Sequence, residues 1–412
     1  MYFIYNTLTL IILIISPIIF LSRLLKGKED KKRFLEKFCI HSKKNSSKTI
    51  WFHAASVGEL MSIIPIIKTF EKNIKIKKIL LTTTTTSSAK IFNKLKFKKT
   101  THQYFPLDIN IFSKKFIKYW RPQLAIFVDS EIWPNMFINL NKEKIPIILL
   151  NARLTKKSFE RWMQFKNFSN FIFSKISLAL PQNIETKKYL KLLGVRNIKT
   201  AGNLKYYGEK KVINYRNLKL LNRFKKFKIW CAGSTHYSEE ILIGKIHKFL
   251  KIKEKNLLTI IIPRHINRSK NIIKELKKIN LKIISHSESR SLPSNTDIYL
   301  VDTFGETSKF YNLTNVSFIG GSFIKHGGQN PLEAVRLGNY VVSGKNVDNF
   351  KEIYSYLNQN KISFFANEKK GIEKIIKKKI NKKLPNIFKN RIYNNGIKIL
   401  NKNIFYINKF IT

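Results

Sequence analysis

Residues 49–72 read TIWFHAASVGELMSIIPIIKTFEK, and the change of pattern inside this stretch decides the fold. The first half, TIWFHAAS, is a short apolar run of the kind buried in a parallel sheet. The second half, GELMSIIPIIKTFEK, is an amphipathic helix pattern, so the whole predicts one strand–turn–helix unit. The unit recurs. KKILLTTT (77–84), QLAIFVDS (123–130), IPIILLNA (145–152) and ISLALP (176–181) read as further strands, and NIETKKYLKLLG (183–194) as a helix. A basic connector over about 206–228 interrupts the series, which then restarts. FKIWCAGS (227–234), NLLTIIIPRH (256–265), LKIISHS (281–287), TDIYLVDT (296–303), VSFIGGS (316–322) and YVVSG (340–344) are the second set of strands. Strands alternating with helices predict parallel sheets, and two series predict two doubly wound α/β domains. The expected division is an N-terminal anchor over 1–24, domains over 40–205 and 206–385, and a helical tail over 386–412. In such sheets ligands bind at the carboxyl ends of the strands, so the turns after the strands are the places to look for chemistry.

The bulk numbers fit two packed domains. At 412 residues the chain exceeds the usual span of one core, and 43% hydrophobic with 13% aromatic residues excludes a largely disordered protein. Charge is extreme: 78 Lys and Arg against 25 Asp and Glu give a net +53. Such a field suits polyanionic partners, whether a phosphorylated substrate, an anionic membrane or nucleic acid. The basic residues are spread along the chain, however, and no basic patch with interleaved aromatics supports a nucleic-acid-binding protein. Cys39 and Cys231 lie far apart, which points away from a disulfide framework or a zinc site and fits a reducing compartment. The first 22 residues carry no charge, long enough to cross a bilayer or to lie half-inserted. The basic flank RLLKGKEDKKRF places the remainder of the chain in the cytoplasm.

Candidate site residues cluster at the strand ends. In HAASVGE (53–59), Ser56 and Gly58 form the expected turn, and Glu59 is either a general base for an acceptor hydroxyl or a first-turn residue complementing its helix. In VDSEIWPN (128–135), Asp129 and Glu131 are a carboxylate pair, with Pro134 suited to a helix start. Arg153 of NARLT offers a fork of donors to a carboxylate or phosphate. In the second domain Ser234 and Thr235 are N-cap candidates, and Arg264 and His265 add donors on the same rim. GGSFIKHGGQNPLE (320–333) is the richest segment. Its glycine pairs permit close backbone approach, and Asn330, Pro331 and Glu333 fit Ncap, N1 and N3 of a helix. Glu333 then either serves its own cap or holds ribose hydroxyls. Neither a Walker loop nor GxGxxG is present, against an ATPase or a dehydrogenase of the usual kind.

Taken in order, HAASVGE, TTTTTSSA, YFPLD, DSEIWPN, NARL, GNLKY, GSTHYSEE, PRH, DTFGE and GGSFIKHGGQNPLE, together with the apolar N-terminus, resemble the 3-deoxy-D-manno-octulosonic acid (Kdo) transferases over nearly the whole chain. The resemblance implies a GT-B fold of two Rossmann-like domains and transfer of Kdo from CMP-Kdo to the lipid A precursor (lipid IVA). It implies work at the cytoplasmic face of the inner membrane. By residue it implies Glu59 as catalytic base and Gly320, Gly321, Ser322, Gly327, Gly328, Asn330 and Glu333 as the CMP-sugar motif. Ser234, Thr235, Arg264 and His265 fall with the donor, while Ser56, Gly58, Asp129, Glu131 and Arg153 support the acceptor side. DSE stands where the family commonly has a Glu-rich version, which makes Glu131 the firmer of that pair. No metal or other cofactor is expected, because CMP leaves with a single phosphate. Another GT-B transferase or a sugar-nucleotide epimerase shares the expected architecture.

Overall fold

The computed structural model describes residues 1–40, 47–208, 222–289 and 291–411. The chain divides into two compact units, Met1–Tyr207 with Asn395–Thr412, and Gly208–Asn394. Most of the expected connector, 209–221, lies outside the described residues.

In the first unit six parallel strands are β1 (Thr49–His53), β2 (Ile79–Thr83), β3 (Thr100–Tyr104), β4 (Pro122–Val128), β5 (Ile147–Ala152) and β6 (Leu178–Pro181). Their order is β3-β2-β1-β4-β5-β6. Every residue of β1 and β2 is buried, as expected of strands covered by helices on both faces. Trp51 sits at the centre of an aromatic core, its ring 4.8 Å from Phe116 and 5.1 Å from Phe127. The sequence pattern passed over β3, TTHQY, because its inward residues are polar. His102 meets the Thr83 hydroxyl at 2.9 Å, and Gln103 accepts the Trp120 indole N–H at 2.6 Å, so a half-polar edge strand is satisfied without an apolar run.

The second unit holds β7 (Lys228–Thr235), β8 (Leu257–Pro263), β9 (Ile283–Ser285), β10 (Ile298–Leu300), β11 (Val316–Ile319), β12 (Tyr340–Ser343) and β13 (Ser363–Phe365). Their order is β13-β12-β11-β7-β8-β10-β9, and every pairing is parallel. The three-residue edge strand β13 was the other strand missed by periodicity, which needs a longer run to register. Two switch points result from these orders: β1 beside β4 in the first sheet, and β7 beside β11 in the second. Crevices open at such points outside the carboxyl ends of the strands.

The N-terminal helix Tyr2–Leu25 is long and apolar enough to cross a membrane. It does not project freely from its unit. Tyr2, Tyr5, Asn6, Thr9, Leu13, Ser16 and Phe20 form a covered stripe running its length, while Phe3, Ile14, Ile18 and Leu25 are among those left outside. Near its start the Tyr2 hydroxyl donates to Asn135 Oδ1 at 3.1 Å and the Tyr5 hydroxyl to Asp108 Oδ2 at 2.7 Å. At its far end Phe20 packs on Phe38, and Arg23 and the buried Lys37 share Glu29 at 2.6 and 2.7 Å. The C-terminal helix Asn386–Asn408 begins in the second unit, and its last part belongs to the first, where Ile399 lies against Gly202 and residue 396 can only be glycine beside the Tyr206 carbonyl.

Candidate active site

At the first switch point β1 ends at His53 and a helix runs over Val57–Lys72. Ser56 is its N-cap and accepts the Glu59 N–H at 3.3 Å, while Glu59 receives the Ser56 hydroxyl at 2.8 Å and the Ala55 N–H at 2.8 Å. The two residues form a reciprocal capping box. Gly58, expected to make the turn, lies instead within the helix, and a Cβ there would meet only Ser56 Oγ at 3.9 Å. The fold itself does not require glycine at this position. Burial, and next the negative charge of Glu131, push the Glu59 carboxyl up to about 7, against the pull of its own hydrogen bonds. A carboxylate with an affinity for protons near neutral pH suits a general base.

Glu131 follows β4. Its Oε2 accepts the Trp133 indole N–H at 3.0 Å and lies 3.2 Å from Nε2 of His53, a fully buried ring stacked 3.9 Å over Phe105. Asp129 has a left-handed backbone, φ 64°, held by its N–H to the Leu150 carbonyl and by its own carbonyl accepting the Arg153 N–H. Non-glycine residues in this conformation mark sites where surroundings impose strain. Burial raises the Asp129 carboxyl, with Lys205 and then Arg153 opposing that rise. Neither Asp129 nor Ser130 caps the next helix, Pro134–Lys142. Asp108 does so from a distance, taking the Asn135 and Met136 N–H groups at 3.0 and 2.8 Å. Lys205 escaped notice in the sequence. Asn151, itself left-handed at φ 51°, accepts the Leu204 N–H at 2.9 Å and so fixes the Leu204–Tyr206 turn at the end of β5. The charge of Lys205 is felt by Asp129, and Lys205 in turn feels Asp129, Arg153 and Glu59. GNLKY was legible as a motif, but the fold alone brings its lysine to the carboxylates.

In the second unit Ser234 and Thr235 turn out to be the end of β7 rather than a helix cap. The next helix, Glu239–Lys251, starts at Ser238, and its first two residues are buried carboxylates. Glu239 accepts four backbone N–H groups: His236 at 3.0 Å, Gly321 at 2.8 Å, and Ser322 and Phe323 at 3.1 Å each. Glu240 takes the Thr235 hydroxyl at 3.1 Å and the Arg268 fork at 3.0 and 3.2 Å. Gly320 is compressed against this arrangement, since a Cβ would fall 2.3 Å from the Ser234 carbonyl. Around it stand His236, 4.2 Å ring to ring from His326 and 6.0 Å from His265, with Gln329 Nε2 at 3.2 Å from His236. Burial and the neighbouring His326, His265 and Arg264 hold His236 down to about 4, so it stays neutral at physiological pH. Asn330 accepts the Leu332 N–H at 3.0 Å, the helix Leu332–Arg336 starts one residue later than expected with Pro331 at its N-cap, and Glu333 accepts the Ser308 hydroxyl at 2.7 Å.

Sequence comparison decides the family. Residues 32–207 match the family described as 3-Deoxy-D-manno-octulosonic-acid transferase (kdotransferase). The 3-deoxy-D-manno-octulosonic acid transferase of Rickettsia bellii is 36% identical over 359 residues, covering 87% of this chain and 85% of the relative. That of Haemophilus influenzae is 34% identical over 316 residues, covering 75% and 73%. The chain belongs to the Kdo transferase family. It is accordingly a glycosyltransferase, and its two parallel sheets belong to the GT-B class. A solved UDP-GlcNAc 2-epimerase from Neisseria meningitidis shares the fold at a TM-score of 0.58 and 13% identity, covering 88% of this chain and 99% of that one. Against this Kdo transferase background, Glu59, Ser56 and Glu131 come together at one switch point. Ser234, Thr235, Gly320, Gly321 and Ser322 gather at the other, with Glu239 between the two turns. Glu239 and Glu240 stand in the GSTHYSEE motif but were not among the candidate site residues. The signal was a pair of carboxylates shortly after a strand end, but three of the four partners of Glu239 lie 82 to 84 residues away and only the fold joins them.

Proposed function

We propose that this chain transfers Kdo from CMP-Kdo to the lipid A precursor, inverting the anomeric carbon, with Glu59 as the base. The observation that carries the reading is the Glu59 carboxyl, held in the first helical turn after β1 by Ser56 and Ala55 and raised to about 7. Deprotonated Glu59 takes the proton of a glucosamine hydroxyl as that oxygen bonds to the anomeric carbon. The bond from that carbon to the CMP phosphate breaks, and its electron pair leaves on the phosphate. Arg264, His265 and the turns after β7 and β11 serve the donor. Asp129, Glu131, Arg153 and Lys205 surround the base and the acceptor. A single phosphate leaving group with cationic side chains at hand calls for no metal or other cofactor, so EDTA leaves turnover intact.

The acceptor is a phosphorylated lipid, and the exposed apolar residues of helix Tyr2–Leu25 support work at the inner membrane with the catalytic units on its cytoplasmic side. Because both ends of that helix are tied to the first unit, the peripheral arrangement is the better supported one. Incubation with CMP-Kdo and lipid IVA, followed by mass spectrometry, shows addition of Kdo to the lipid. Glu59→Gln abolishes the product while the protein still folds. A normal yield from that variant removes Glu59 from the mechanism.

A further inference from the structure

The turn after β11 looks made for an anion, yet it already holds one. The N–H groups of Gly321, Ser322 and Phe323 converge on the Glu239 carboxylate, as does that of His236 from the turn after β7, and the carboxylate is almost completely buried. Gly320 donates its own N–H to the Gly233 carbonyl in the sheet at 2.9 Å. Ser322 adds a second tie, its hydroxyl donating to the Ile319 carbonyl and accepting the Gly344 N–H. The backbone of 320–323 is therefore spent inside the protein, and a phosphate approaching those amides meets a negative charge.

We propose that Glu239 is a positioning residue for the donor. Its carboxylate joins the two turns of the β7–β11 switch point into one rigid floor. By filling the nest of amides it also directs the donor's anionic groups away from the backbone, toward the side chains that ring the floor: His236, Arg264, His265 and His326. The geometry that makes this more than a helix-start preference is the span of the contacts. One carboxylate binds residues 236 and 321–323, from turns that meet nowhere else in sequence. Gly320 fits the same logic, because a Cβ there would lie 2.8 Å from Glu239 Oε2 as well as against the Ser234 carbonyl.

This inference rests on the reading of the second unit as the CMP-sugar side, and the test separates the two. Turnover of CMP-Kdo and lipid IVA by the unaltered chain is measured first; its failure overturns the proposed function. With that activity in hand, Glu239→Gln places an amide NH₂ where two N–H donors point and breaks the clamp. The expected result is a KM for CMP-Kdo raised by about tenfold or more, as losing a charge-assisted hydrogen bond implies, with the KM for the lipid within about twofold. Glu239→Ala leaves a carboxylate-sized gap, so sodium formate restores its donor KM toward the starting value while sodium chloride at equal ionic strength does not. Glu239→Asp carries the KM comparison if the Gln variant does not fold. An unchanged donor KM, or donor and acceptor KM rising together without formate rescue, overturns the proposal.

Discussion

Glu59 carries a structural duty beside the catalytic one proposed for it. Its oxygens complete a capping box with Ser56 and Ala55, a structural duty that a sequence reader rightly weighs against catalysis. Structure does not remove that duty. It adds the environment: burial and the nearby Glu131 raise the carboxyl to about 7, far above a carboxylate whose only task is to complement a helix end. The proposed base works only when ionised, and its affinity for protons is raised, so the proposal predicts that kcat/KM climbs as pH passes upward through about 7 and is lost below it. Glu131→Gln takes away a negative charge, favours ionised Glu59 and moves that limb toward acid. A pH–rate profile of both proteins checks this; a limb that stays put separates Glu131 from the base. The sequence offered Glu59 as a candidate base and Glu131 as one of a carboxylate pair, but not the burial of Glu59, the nearness of Glu131 to it, or the contact of Glu131 with His53.

At the scale of the element, the buried strands announced themselves through runs such as IWF and ILL, since strands packed on both faces have no polar side to interrupt them. What stayed hidden were elements whose logic is long-range. The strand β3 is half polar because its partners arrive from other segments; the helix start at Pro134 was legible, but its cap was not, since Asp108 supplies it from a distance. Glycine positions divide in the same way. Gly320 is demanded by its surroundings, but Gly58 sits in an ordinary helical turn with open space about it. Replacing Gly58 with alanine removes the entropy penalty of glycine in a helix and adds about 0.5–1 kcal/mol of stability. Thermal unfolding should show a slightly higher Tm. A loss of turnover in that more stable variant means that the missing Cβ keeps room for substrate; a lower Tm contradicts the local geometry.

For the whole molecule, composition and the N-terminal helix make separable claims on the membrane. The +53 charge attracts anionic lipid, an attraction that salt screens over a Debye length of roughly 3 Å at 1 M. The outward residues of helix Tyr2–Leu25, Phe3, Ile14, Ile18 and Leu25 among them, act through burial of apolar surface, which salt does not weaken. Co-sedimentation with vesicles containing anionic lipid is therefore predicted to persist in about 1 M NaCl. Complete release by salt assigns the association to charge alone.

The covered stripe on that helix has a practical meaning for anyone preparing a water-soluble version. Truncation before Lys26 is usually imagined as cutting a leash. Here it removes a wall: Asp108 loses the Tyr5 hydroxyl, Asn135 loses Tyr2, and the aromatic faces of Phe38 and Phe168 lose Phe20 and Tyr5. Asp108 is the same carboxylate that starts the helix immediately after Glu131 and Trp133. A shortened protein thus carries its damage inward, to within a few residues of Glu131, the carboxylate that acts on Glu59. Detergent extraction of the full chain is the sounder route to a faithful enzyme.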